Sequence, residues 1–316
     1  MRTIVIALFL AVYAMCAYSQ VTELEDKIKT PKKDKEKEAK DSTEGWKMGG
    51  VTTINFAQTT VKNWAAGGKN SIALNSLVNL FANYKKGKST WDNTLDLGYG
   101  TIKQGNEDAS IFQKSEDRID FSSKYGRVAF NKNWYYAGML NFKSQMTRTP
   151  DYNFPDSNVT VSNFMAPAYL LIAMGLDYKP SDNFTVFFAP VTGKVTFVND
   201  ASLTVKYGLE VGEKSRKEFG GYLKSMFKTN LMKNVALTTK LDLFSNYSNK
   251  PQNIDVNWEL LIAMKINKFL SANIQTRLIY DDDVMINIYD NNQNIVKRGP
   301  RAQFMEVFGL GLSFKF

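Results

Sequence analysis

The chain of 316 residues contains no histidine. Imidazole is the commonest general base and a common metal ligand. A Ser–His or Cys–His nucleophile and a His-ligated metal are therefore excluded. The one cysteine, Cys16, lies in the N-terminal apolar segment. Beyond it there is no thiol, hence no disulfide, no Cys nucleophile and no Cys-ligated zinc. Proline is sparse at 8 residues. After the N-terminus no run of about 20 apolar residues occurs, which excludes membrane-spanning helices. A concentrated basic patch is missing too. The formal charge is +9, but Lys and Arg are spread along the whole chain. That argues against nucleic-acid binding and for contact with anionic headgroups or surface sugars. Nothing in the sequence implies a cofactor.

What is present is alternation. Phe308, Leu310, Leu312, Phe314 and Phe316 alternate with Gly309, Gly311, Ser313 and Lys315. Period two is a β-strand with one apolar and one small or polar face. A strand ending on an aromatic at the chain terminus suits an outer-membrane β-barrel, whose last strand closes against its first and leaves no edge in lipid. The terminal Phe316 resembles the signal read by barrel-assembly machinery. Negative mean hydropathy fits such a barrel, because only alternate residues face lipid.

Residues 1–19 read as a signal peptide: Arg2 is basic, Ile4 to Met15 are apolar, and Ala17-Tyr18-Ser19 is a small-x-small cleavage site. Tyr13-Ala14-Met15 match a lipobox poorly, which disfavours lipidation at Cys16. Residues 20–45 form a charged tail, with seven Lys and eight acidic residues between Thr22 and Glu44. Such a segment buries too little apolar surface to offset its ordering entropy. It is expected to be a periplasmic spacer or a docking arm for an envelope partner. Asp41-Ser42-Thr43 resembles a Bacteroidota O-glycosylation motif.

Residues 46–316 contain twelve strand-like segments, predicted at 46–57, 71–85, 89–103, 116–130, 133–147, 164–179, 183–195, 217–228, 235–246, 254–266, 270–280 and 301–316. Their connections alternate. The long ones are 58–70, 104–115, 148–163, 192–216, 247–253 and 281–300. The short ones are 86–88, 131–132, 180–182, 229–234 and 267–269. With a periplasmic tail every short turn falls inside and every long loop outside, which is the asymmetry of an up-and-down transmembrane barrel. An even strand count returns the C-terminus to the periplasm. Pro167 and Pro190 are expected at bulges or strand ends near the outer rim. Trp46, Trp64, Trp91, Trp134, Tyr135 and Tyr136 suit an interfacial girdle.

Asn63-Trp64-Ala65-Ala66-Gly67-Gly68 occupies the first long loop. Together with Trp91-Asp92-Asn93, Tyr99-Gly100, Glu116-Asp117, Phe244-Ser245-Asn246-Tyr247 and Asp281-Asp282-Asp283, it resembles an uncharacterised family of Bacteroidota outer-membrane barrels over nearly all of residues 46–316. The resemblance implies localisation in the outer membrane of a Gram-negative bacterium and a barrel architecture. It brings no catalytic residues. Asn63, Trp64, Gly67 and Gly68 are candidates for a gate or ligand contact, or for a loop packed in the barrel mouth.

The lumen face is expected to carry Asp92, Asp96, Arg118, Asp120, Lys124, Lys143, Lys240, Asp242, Asp255, Glu259 and Arg277. These either pair across the lumen and fill it or line a narrow aqueous path. Asp281, Asp282 and Asp283 offer oxygen ligands for Ca²⁺ but lack calcium-loop spacing, so a solvated acidic rim is the simpler reading. Without His or a further Cys, the usual mechanisms of outer-membrane lipases, deacylases and omptin-type proteases cannot operate. The expected function is non-enzymatic: a small channel or transporter for a polar or amphipathic solute. The alternative is a closed structural or partner-binding barrel of an envelope assembly serving secretion or surface anchoring.

Overall fold

The computed structural model describes residues 44–60, 70–105, 112–152, 159–267, 269–289 and 295–315. The expected signal peptide, nearly all of the charged tail, the loop motif at Asn63, Trp64, Gly67 and Gly68, and the terminal Phe316 lie outside these residues. In chain order the strands are β1 (Gly45–Thr59), β2 (Ser71–Lys86), β3 (Ser89–Gln104), β4 (Gln113–Val128), β5 (Trp134–Ser144), β6 (Thr149–Pro150), β7 (Thr160–Ser162), β8 (Ala168–Ser181), β9 (Phe184–Phe197), β10 (Ser215–Met232), β11 (Val235–Asn246), β12 (Ile254–Lys265), β13 (Leu270–Tyr280), β14 (Ile286–Tyr289), β15 (Ile295–Gly299) and β16 (Gln303–Lys315). Twelve close into one antiparallel ring, β1-β16-β13-β12-β11-β10-β9-β8-β5-β4-β3-β2. The hairpins β6–β7 and β14–β15 stand in long loops outside the ring.

Register gives every strand one outward and one inward face. Trp46, Ile54 and Phe56 of β1 lie on the outward face with Leu312 and Phe314 of β16. Ile172, Met174, Phe188 and Val191 are exposed on the other side of the ring, and Trp258 between the two. A continuous apolar belt of this extent is far larger than a water-soluble surface tolerates. It is the lipid-facing surface of a transmembrane barrel. Aromatics collect at the short-turn end: Trp46 packs on Tyr84 at 5.2 Å and on Trp91 at 5.6 Å, and Trp134 packs on Tyr178 at 4.7 Å. Tyr135 departs from the expected girdle. It pairs with Asp177 on the inward face, under the Lys179 ammonium at 5.5 Å.

The sixth and seventh strands differ from their predicted bounds. The sixth begins at Ala168 because Asn163 and Ala166 exchange backbone hydrogen bonds (2.9 and 3.0 Å) in a tight turn just before it. Pro167 therefore precedes the strand. The seventh runs to Phe197, paired along its end with Ser215 to Glu218 of β10. The long loop after it shrinks to 198–214.

Pro190 lies in the other expected setting, a bulge. It sits inside β9, where the register shifts against both neighbours, between Met174 and Leu176 of β8 and between Gly220 and Tyr222 of β10. One extra β9 residue is taken up as a bulge, which tolerates a residue without N–H. Gly175 lies opposite the bulge, and a Cβ there would stand 2.0 Å from the Phe188 carbonyl oxygen.

Gly175→Ala is expected to destabilise the barrel by about 1–3 kcal/mol, read from urea unfolding of reconstituted protein. Gly138→Ala, whose Cβ would meet nothing closer than 4.0 Å, should be near neutral. Unboiled and boiled wild-type protein should migrate differently on a denaturing gel.

Candidate functional site

The inward face of the ring is crossed by ion pairs. Arg118 on β4 meets Glu259 on β12 at 3.1 Å, and Lys240 on β11 meets Asp96 on β3 at 3.1 Å. Each pair joins strands six places apart in the ring of twelve, which are diametrically opposite. Arg277 on β13 reaches Glu259 at 3.3 Å and Glu116 of β4 at 3.8 Å. Lys143 holds Asp242 at 3.1 Å and Asp120 at 3.6 Å. Lys124 holds Asp177 at 2.7 Å, and Lys179 bridges Asp177 and Asp92. Lys194 lies among Asp255 (2.6 Å), Glu218 (3.6 Å) and Asp281 (3.7 Å). The eleven residues predicted for the lumen all project into it, and each has an opposite-charge partner.

The interior is also lopsided. Ala137, Met139, Leu171, Ala173, Phe187, Ala189, Tyr222 and Phe244 form a buried apolar cluster on the β5, β8, β9, β10 and β11 wall. Lys194 stands over Phe244 at 4.9 Å and Lys124 over Phe187 at 5.6 Å. Tyr222 donates its hydroxyl to Asp242 at 2.9 Å. The opposite wall is amide-rich, with Asn55, Asn273 and Gln275 buried. Ion pairs that span the ring tie opposed walls together by side chains.

Several members of this network escaped sequence reasoning. Lys194 falls where the predicted seventh strand and the long loop after it overlap, and Arg216 falls in that loop. The alternation Thr192, Lys194, Thr196, now seen on the buried face of β9, was the available signal. Asp177 and Lys179 sit beside a short turn, where alternation is hard to follow.

At the long-loop end, residues 159–167, 198–214 and 281–286 build an ordered cap. Ala166, Val198, Leu203, Tyr207, Leu209 and Val284 form its small core, with Ile286 packed against it. Asp200 caps the first short helical turn by accepting from Ser202 N at 3.0 Å. Lys206 and Tyr207 both donate to the Val161 carbonyl, at 2.9 and 3.1 Å. Burial pushes the Tyr207 hydroxyl from 10.0 up to about 12 and draws the Lys206 ammonium down.

The three rim carboxylates are engaged. Asp281 accepts from Asp283 N at 2.9 Å. Asp282 accepts from Asn253 at 2.7 Å and faces Lys250 at 3.5 Å. Asp283 pairs with Arg216 at 2.9 Å. Among the described residues no group of His, Cys, Asp and Glu is placed to hold a metal ion.

Residues 56–149 match a family model described as "Protein of unknown function (DUF3078)". No curated protein matches the sequence. Among solved structures, an outer-membrane channel of Pseudomonas putida F1 aligns with 86% of this chain and 96% of its own, at 10% identity and TM-score 0.38. The translocator domain of the autotransporter NalP from Neisseria meningitidis aligns with 88% of this chain and 90% of its own, at 11% identity and TM-score 0.34. Outer membrane phospholipase A from Escherichia coli aligns with 87% of this chain and 92% of its own, at 12% identity and TM-score 0.33. What this chain shares with them is a barrel fold.

Lys194→Met strips the cation from three carboxylates and is expected to cost about 3–5 kcal/mol. Lys194→Met/Asp255→Leu should recover part of that loss, both read from urea unfolding. Tyr207→Phe should cost the cap about 1 kcal/mol, seen as faster protease cleavage within 198–214. The folded-state value of Tyr207 lies above its ordinary one, so its contribution is intact below pH 10 and fades as pH rises toward 12. The tyrosinate absorbance difference between wild type and Tyr207→Phe should accordingly appear near pH 12.

Proposed function

We propose that this protein is a non-enzymatic outer-membrane channel or transporter for a polar or amphipathic solute, closed at rest by ion pairs between opposed strands. The observation that carries this reading is the pairing of Arg118 with Glu259 and of Lys240 with Asp96 across the full width of the ring. A permanent plug gains nothing from charge, since well-packed apolar side chains of similar volume serve stability equally well or better. Charged contacts can exchange partners with water, ions or a polar solute, so a charged plug is one that can open. The tail and all short turns are assigned to the periplasm of a Gram-negative cell, and the cap to the outside. The aromatic C-terminal strand fits delivery by the barrel-assembly machinery.

The ordered cap favours a second reading, a closed barrel that presents a rigid outer surface to an envelope partner. Val205 and Val211 are exposed apolar residues on that cap. Co-purifying partners lost on deletion of residues 22–44 would support this reading through the tail.

Planar-bilayer recording separates the two. Wild-type protein is expected to open rarely. Glu259→Gln, which removes the anion shared by Arg118 and Arg277, should open often, with ion selectivity altered by adding Asp96→Asn. Silence of both variants across salt and voltage, with heat-modifiable protein on gels, would reject the channel and leave the partner-binding barrel.

A further inference from the structure

The ring is closed unevenly. β1 and β16 share five paired positions, from Val51↔Lys315 to Asn55↔Gly311. Beyond Asn55 and Gly311, toward the long-loop end, no pairing joins the two strands among the described residues. Residues 56–59 remain paired to β2, and 303–310 to β13, where Gln303 pairs with Ile279 at the ladder's last step. Between 56–59 and 307–310 both strands thus keep one paired edge and leave the facing edges unpaired, which makes this stretch of the seam a slit in the hydrogen bonding of the wall. Unpaired backbone in lipid costs several kcal/mol per group, so such a slit does not persist without something polar to face it.

Its surroundings are amphipathic. Phe56, Phe308 and Leu310 are exposed on the outward lips. Just inside lie Asn55 and Asn273, 4% and 7% exposed, with Asn273 Nδ2 donating to Asn55 Oδ1 at 3.4 Å. That leaves Asn55 Nδ2 and Asn273 Oδ1 buried with no hydrogen-bond partner. One amide donor and one amide acceptor are thus left unpaired where the seam's ladder ends. Buried polar groups normally find partners, so this pair is unfinished in the same way as the backbone edges.

We infer that the outer half of the β1–β16 seam is a lateral portal between lumen and membrane for an amphiphile, with its hydrogen-bonding head at Asn55 and Asn273 and its apolar tail between Phe56, Phe308 and Leu310. This rests on the channel reading and names its solute class and exit. The head would satisfy the two amide atoms and the strand edges, and the tail would stay in contact with lipid. A single molecule of that kind answers both deficits at once.

Cysteine pairs across the seam test it, in Cys16→Ser protein expressed in the outer membrane of a Gram-negative host. Thr53→Cys/Ser313→Cys, at a paired position, should oxidise to a disulfide. Thr59→Cys/Val307→Cys, opposite if the same register continued, should resist oxidation and be bridged only by a longer bis-maleimide. Uptake of the apolar probe N-phenylnaphthylamine should exceed that of the empty host and fall to host level when the slit is bridged. The Thr53–Ser313 crosslink should leave uptake unchanged. Asn55→Leu, a single substitution that tests the amide pair without crosslinks, should also lower uptake. Ready oxidation at 59 and 307 would mean a ladder continuous to the rim and would overturn the portal. Uptake no higher than in the host, or unaffected by bridge and Asn55→Leu, would overturn it as well. Conductance of Glu259→Gln is recorded separately. Its loss rejects the gated channel, whereas conductance without slit-dependent uptake rejects the portal alone.

Discussion

The structure depends on one constraint: backbone amides and carbonyls in hydrocarbon must be paired, and only a closed ring pairs them all. Closure sets the strand number to even, puts both ends of the ring on one side, and sends the long connections to the other. It also decides the faces. Once β1 meets β16 with Ile54 beside Leu312 and Asn55 beside Gly311, the period of two leaves no choice for the rest of the strand. At this seam Gly311 has no alternative, since a Cβ there would stand 2.0 Å from the Ile54 carbonyl oxygen.

A ring of twelve strands encloses space that has to be filled with water or side chains. Here side chains project into it from an apolar cluster on one wall and from a charge network that spans the ring. The apolar cluster on one wall fixes Phe187 and Tyr222 in place. The charge network ties that wall to the amide-rich one. Lys194 and Arg216 link the network upward to Asp281 and Asp283 beneath the cap, so interior and outer surface form one connected system. A disturbance of the cap therefore has a continuous path of ion pairs into the lumen.

The two irregular places in the wall differ in kind. At Pro190 the chain absorbs an extra residue and keeps both neighbouring ladders on either side of the bulge. At the β1–β16 seam the ladder simply ends. A bulge is a local solution to a backbone problem, whereas an ended ladder leaves the problem open to an outside partner.

Much of this was legible in the chain itself. Alternation such as Trp91, Leu95, Leu97 and Tyr99 against Asp92, Thr94 and Asp96 determines the barrel and its faces, because a strand side chain has only two directions. The rhythm of long and short connections gathers the long ones at one end of the ring, because consecutive antiparallel strands turn at alternate ends. Pro190 sits at a bulge as expected, but where alternation runs past an assumed boundary, as at Thr196 and Arg216, the reading of the strand's extent fails. Sequence also cannot say who meets whom across a lumen. Arg118 and Glu259 are 141 positions apart, and only the closed ring makes them neighbours. The pairing of opposed walls, the apolar cluster behind the Pro190 bulge and the unfinished seam were decided by tertiary structure, because each depends on shear and closure around all twelve strands at once and on no single segment.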